Sequence, residues 1–218
     1  MAEFPSEPLS ASEFFEAFLP RAFAETGLGE TLAVLDVPLG VRLEGDGGGE
    51  WLLHVRSGCL RVEAGSRAAA AFSVVQSVED WRGALWEGRG GAIGRHAAGI
   101  FRPGGGVDSR IGELVAPSAA ALAQMQGLSG LVRVAILGGE GGDWILGVML
   151  GPGEIPAEAT TTVSLRAEDA DAMVRGDLAP LEALMGGRIQ IAGDLTLLMQ
   201  IQAIQMQVAD ASKTRRTG

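Results

Sequence analysis

The period of the hydrophobic positions changes several times along this chain, and each change marks an element. Phe14, Phe15, Phe18 and Leu19 recur at helical spacing behind a serine with acids close by. This predicts a helix from Ser12 that Pro20 kinks or ends and Phe23 continues, with the residues before Ser10 a loose lead-in. The phenylalanines are expected in the core, since apolar helical stripes face a sheet. Val41 and Leu43 share a face of a short strand over 40–45, and Asp46-Gly47-Gly48-Gly49 supplies a hairpin turn. In the return strand over 50–56, Trp51, Leu53 and Val55 point one way and Glu50, Leu52, His54 and Arg56 the other. Strands over 59–63 and 69–76 and a helix from Val78 to Trp86 follow. Residues 88–108, rich in Gly and Arg, read as a long loop, and a helix is predicted over 117–125.

The second half repeats the plan. Strands are predicted over 131–137, 143–150 and 160–165, with a glycine-rich turn at 138–142 and a helix opening at Glu168-Asp169. Gly49-Glu50-Trp51-Leu52-Leu53 corresponds to Gly142-Asp143-Trp144-Ile145-Leu146. We read this as a diverged internal duplication, the alternative being chance similarity of two hairpins. The later copy lacks its third strand, since Gly151-Pro152-Gly153-Glu154-Ile155-Pro156 carries prolines that cannot donate to a central ladder. The earlier copy lacks a closing strand and helix. The expected fold is α/β (α+β): a mixed sheet covered by helices, in which two incomplete halves complete one another, with units at 1–116 and 117–211 and a flexible tail at 212–218.

The closing stretch, Leu184 to Val208, is the most informative. Gly186-Gly187 reads as a turn, Ile189 and Ile191 as one face of a strand, Gly193 as a second turn and Asp194 as a helix N-cap. Beyond it apolar residues alternate with Gln as in a strand, but the alternation slips at Ala203-Ile204. Leu197, Ile201, Ile204 and Val208 instead fall on one stripe at steps of four, three and four, which predicts a helix. Leu195, Met199 and Met206 form a second stripe on the opposite side, and no charged residue lies between Leu195 and Ala209. A helix packed on one face usually wets the other with Lys and Glu, so this one is expected to touch something apolar on both sides.

Met185-x-Gly187-Arg188-Ile189-x-Ile191-x-Gly193-Asp194, followed by an uncharged helix rich in Met and Leu, resembles the carboxyl end of the sterol carrier protein 2 (SCP-2) domain. Upstream, Ala159 to Leu165, Glu168-Asp169 and Gly176-Asp177-Leu178-Ala179-Pro180 match that family's strand, acidic helix start and hinge in order. The resemblance covers Val132 to Val208, with a possible diverged second copy over 30–90. It implies a small lipid-binding α/β fold in which an acyl chain, sterol or similar lipid lies in an apolar tunnel between sheet and helices, with the last helix in its wall.

Composition narrows the partners. The chain has 218 residues, 47% hydrophobic and 20% charged, with mean hydropathy +0.22, no Tyr and a formal charge of -10. That charge argues against nucleic acid, which needs clustered Lys and Arg. The single Cys59 forms no intramolecular disulfide and suits a reducing compartment. No segment approaches the roughly 18 consecutive apolar residues of a membrane span, and acids occupy the N-terminus where a signal peptide carries bases. A cytoplasmic protein without stable membrane insertion is expected, and the Arg-, Gly- and Ala-rich composition suggests a bacterial source.

No catalytic constellation stands out: Gly-x-Ser-x-Gly, Walker and His-x-x-x-His patterns are missing, and no metal-ligand cluster occurs. His54 and His96 read as solvent-facing or loop residues and Cys59 as a small buried hydrophobe. The glycine runs at 47–49 and 104–106 read as turns. The expected function is a non-enzymatic carrier, with no cofactor and no metal, of an apolar ligand such as a long-chain acyl, acyl-CoA, isoprenoid or sterol-like molecule. The candidate lining residues are Leu184, Met185, Ile189, Ile191, Leu195, Leu198, Met199 and Met206, with Trp144. Two alternatives stay open: an assembly or scaffold module without a cavity, in which a homodimer uses the second stripe, and an accessory factor or enzyme of lipid or quinone metabolism.

Overall fold

The computed structural model describes residues 3–26, 38–56, 59–99 and 124–216. Strands β1 (Leu39–Glu44), β2 (Gly49–Arg56), β3 (Cys59–Ala64), β4 (Phe72–Ser77), β5 (Gly130–Gly139), β6 (Gly142–Leu150), β7 (Thr161–Arg166) and β8 (Ile189–Gly193) join in one sheet of order β3-β2-β1-β4-β6-β5-β7-β8. Six α-helices accompany it among the described residues, α1 (Leu19–Thr26), α2 (Val78–Arg82), α3 (Gly91–Gly99), α4 (Ala167–Arg175), α5 (Pro180–Met185) and α6 (Leu195–Arg216), with π-helical segments at Glu13–Phe18 and Gly83–Glu87.

Strand order explains how the halves fit. β1 pairs antiparallel with β2 and parallel with β4, and β5 likewise pairs antiparallel with β6 and parallel with β7. The seam between the halves is the antiparallel pair β4 and β6, from Phe72 opposite Leu150 to Val75 opposite Gly147. β4 therefore fills the position beside β6 that a third strand of the second half would take. In turn β6 fills the position beside β4 that a closing strand of the first half would take. The result is the mixed sheet expected from sequence, with helices over one face.

Alternation along each strand selects that face. Val41, Leu43, Trp51, Leu53, Ile136, Trp144, Leu146 and Leu165 are buried in one continuous core beneath the helices. Toward one end of the strands the same face continues through Phe72, Val132 and Leu150, which are covered by Met125 and by α6. The phenylalanines of the first helix enter this core as expected: Phe14, Phe15 and Phe18 pack with Phe4, Trp51, Trp81 and Trp86 at ring separations of 4.9 to 6.4 Å.

Several boundaries differ from the sequence reading, each for a local reason. The first helix is capped by Ser10, not Ser12. Ser10 and Glu13 form a reciprocal box in which the Glu13 N–H donates to Ser10 Oγ (3.2 Å) and Ser10 N–H donates to Glu13 Oε2 (3.1 Å). The Ser10 hydroxyl, which donates to Glu13 Oε2 at 2.6 Å, and then the Ser10 N–H hold the exposed Glu13 carboxyl below its ordinary pKa. Pro20 does not end the helix, because the wider π-helical turn Glu13–Phe18 immediately before it accommodates the missing donor. β4 begins at Phe72, since Arg67 to Ala71 form a turn in which Ala70 N–H donates to Arg67 O and Ala71 N–H to Pro38 O. Within the stretch read as a long loop lies α3. Its start is stabilised from outside: Asp171 on α4 accepts from the Ala92 N–H at 2.8 Å, a cap 79 residues away in sequence. Residues 100–108 of that stretch, and 117–123 of the helix expected over 117–125, lie outside the described residues. Cys59, expected buried, is exposed at the start of the edge strand β3. α6 continues to Arg216, past the start of the expected tail.

On the other face of β4, Ser73 is fully buried with its Oγ unpaired among the described residues, wedged beside Gly40, where a Cβ would come within 2.9 Å of the Ala70 Cβ. A buried hydroxyl without a partner costs about 1–3 kcal/mol. Ser73→Ala is therefore expected to raise the thermal midpoint by a few degrees in a calorimetric scan. A lowered midpoint would show that the hydroxyl is paired in solution.

Candidate functional site

The carboxyl-terminal elements are set in place by a chain of polar contacts. α4 ends at Gly176, which adopts φ 83°, a left-handed conformation that suits glycine. Pro180 then opens α5 at its first turn, where a missing donor costs nothing. Arg188 turns back so that its Nη1 donates to the buried Asp169 Oδ1 at 2.9 Å, fixing the approach of β8 to α4. β8 pairs with β7, Ile189 opposite Leu165 and Ile191 opposite Val163, so both isoleucines lie on the helix-covered face.

Asp194 is the N-cap of α6 that the sequence predicts. Its Oδ1 accepts from the Thr196 N–H at 2.7 Å, its own N–H donates to Thr160 O at 2.9 Å, and its carbonyl accepts from Thr161 Oγ1 at 2.6 Å. The cap anchors α6 with a fixed rotation. Leu197 is buried, and Leu198, Ile201 and Ile204 pack with it over Phe72, Val132 and Leu150. At 100° per residue the other stripe must then face away, and it does: Leu195 is 52%, Met199 62% and Met206 61% exposed.

The nine candidate residues thus separate into groups. Leu195, Met199 and Met206 on α6, and Leu184 and Met185 on α5, present large apolar side chains at the surface of the chain. Ile189, Ile191 and Leu198 are half-buried between surface and core. Trp144 sits within the packed core, with no exposed area, its Nε1 donating to Asp80 O at 3.1 Å. Leu181, not among the candidates, joins the exposed group at 68%. The signal for it was present, since it precedes Leu184 and Met185 by three and four residues, the spacing of one helical face.

Two clefts lie elsewhere. One of about 540 Å³ is bordered by Arg42, Glu50, Gly65–Ala68 and Gly153–Ile155, and another of about 430 Å³ by the β1–β2 hairpin; no candidate residue lines either. Among the described residues no group of His, Cys, Asp and Glu could hold a metal ion, and no helix is long and apolar enough to cross a membrane.

Comparison with known proteins finds a similarity over the same segment. Residues 110–206 match the SCP-2 sterol transfer family. Among solved structures, sterol carrier protein 2 like 2 from Aedes aegypti is similar at 22% identity over 36% of this chain and 83% of that one, with a TM-score of 0.27. The sterol carrier protein domain 2 of Helicoverpa armigera is similar at 23% identity over 39% and 73%, with a TM-score of 0.30. The sec-alkylsulfatase Pisa1 from Pseudomonas sp. is similar at 13% identity over 90% of this chain and 16% of that one, with a TM-score of 0.20. No curated protein sequence matches this chain. The match over residues 110–206 makes that segment of the chain similar to the SCP-2 sterol transfer family.

Proposed function

We propose that the carboxyl-terminal unit is a non-enzymatic lipid-binding module that holds a long-chain acyl, acyl-CoA, isoprenoid or sterol-like ligand against the uncharged side of α6. The observation that carries this reading is the stripe of Leu195, Met199 and Met206, exposed on a helix whose sequence has no ionic residue from Leu195 to Ala209, within the segment that matches a sterol transfer family. Apolar surface gains about 0.8 kcal/mol for each methylene removed from water, so ten methylenes laid along this stripe give useful affinity without directional chemistry. Unbranched Met and Leu re-pack around ligands of different shape.

The same reading assigns one ligand to each chain. In the first unit the space between sheet and helices is filled by Phe4, Phe14, Phe15, Phe18, Trp51, Trp81 and Trp86, whereas the exposed apolar side chains gather on α5 and α6. The two units are diverged copies in this view, one turned over to packing and one to binding.

A second reading has the stripe pair two copies of the chain without a ligand. Its spacing favours that reading, because Leu195, Met199, Gln202 and Met206 follow steps of four, three and four, as the contact positions of paired helices do. Native mass spectrometry of the protein as purified separates the two. Lipid adducts on a monomer support the binding module, and a ligand-free dimer that ignores fluorescent fatty acid overturns it.

A further inference from the structure

The face of the sheet opposite the helices carries a buried cation that the proposed lipid module does not use. Arg67 is only 7% exposed. It is fixed by the loop after β3, where Gly65 N–H donates to Glu50 O at 2.8 Å and Ala70 N–H donates to Arg67 O at 2.8 Å. A guanidinium taken out of water needs hydrogen bonds to offset its lost hydration. Arg67 lacks them: its Nε is buried with no hydrogen-bond partner among the described residues, and its nearest carboxylate oxygen, Glu50 Oε1, stands 3.5 Å away. That oxygen is shared with Arg42 Nη1 at 3.4 Å, while Arg42 Nε lies 3.4 Å from Glu44 Oε1. Charge-assisted bonds close to about 2.7–2.9 Å when the geometry allows, so both arginines are under-satisfied by the acids they have.

Both line the cleft of about 540 Å³, together with Glu50, Ser66, the exposed Glu154 and the apolar Ile155. Its size suits a small organic molecule. We propose that this cleft binds a small free oxyanion of the carboxylate or phosphate type, held between Arg67 and Arg42, with Ile155 beside its apolar part. An anionic lipid headgroup would offer the same chemistry, but a chain of net charge -10 is repelled by an anionic membrane surface. The free anion is therefore the occupant. Glu50 competes with it for both guanidinium groups.

Calorimetric titration of the full chain with inorganic phosphate and with butyrate at low salt tests the proposal. Wild type is expected to bind at least one of them saturably, with a dissociation constant of about 1 mM or tighter. Arg42→Gln changes a half-exposed side chain, should stay folded, and should weaken binding about tenfold. Glu50→Gln removes the competitor and should tighten binding severalfold, and the same anion should raise the thermal midpoint of this variant more than that of wild type. Uptake of fluorescent fatty acid should be unchanged in both variants, which separates this site from α6. No saturable binding by wild type overturns the proposal, as does an Arg42→Gln variant that binds equally well. Retention on phosphatidic acid vesicles without any response to the free anions overturns it in favour of a headgroup.

Discussion

Met199→Glu is expected to abolish uptake of a fluorescent fatty acid while leaving the thermal midpoint within a degree or two of wild type. The two halves of that expectation rest on different observations. Met199 is 62% exposed and lies opposite the buried Leu197 stripe of α6, so a charge there meets water in the ligand-free protein. Surface substitutions of that kind stay within about 0.5 kcal/mol. With a hydrocarbon chain laid over the stripe, the same carboxylate would have to lose its hydration or take up a proton, at a cost of several kcal/mol. Each 1.4 kcal/mol is tenfold in affinity, so a loss of about a hundredfold or more is expected. Gln200→Glu is the control, because Gln200 is also exposed but points away from the stripe. Uptake that survives Met199→Glu sinks the ligand-bearing role of this stripe. Equal loss in both variants would mean that added negative charge, not the stripe, is what the ligand avoids.

The contrast between the faces of α6 shows what was legible in the sequence. Spacing alone separated Leu197, Ile201 and Ile204 from Leu195, Met199 and Met206, and Asp194 identified itself as the cap, because helix periodicity and capping are local properties. The repeated Gly-acid-Trp hairpins marked both β1–β2 and β5–β6 in the same way. What stayed hidden depends on residues far apart in the chain. The sequence reads α3 as loop because Gly91, Gly94 and Gly99 are poor helix formers, and the acid that caps it, Asp171, lies 79 residues away. Trp144 is among the candidate lining residues, and its indole donates to Asp80 O, a partner no spacing reveals. Nothing in the sequence pattern singles out Arg67. It is buried where the turn over 67–71, held by the Ala71 N–H to Pro38 O, meets Glu50 and Gly153–Ile155, residues far from it in sequence.

The joining of the halves has its own measurable consequence at Trp144. This side chain has no exposed area, and its Nε1 reaches from β6 of the second unit to the Asp80 carbonyl in α2 of the first, at 3.1 Å. Its ring also sets the backbone nearby. Gly90 adopts φ 81°, and a Cβ there would come within 2.6 Å of the indole. Trp144→Ala removes the ring and the donor together, leaving a cavity, and large-to-small changes of this kind cost about 3–5 kcal/mol. For a chain of this size each kcal/mol moves the midpoint by about 2–4 °C, so a fall of roughly 10 °C is expected. Trp144→Phe keeps most of the volume and should cost about 1 kcal/mol for the lost indole hydrogen bond, since the Asp80 carbonyl keeps the Gly83 N–H as a donor. Because β4 and β6 are hydrogen-bonded neighbours at the middle of one sheet, circular dichroism and tryptophan fluorescence should report a single shared transition in every variant. Two separated transitions in the wild-type protein would mean that the units fold independently, and that the β4–β6 seam and the Trp144–Asp80 bond do not couple them.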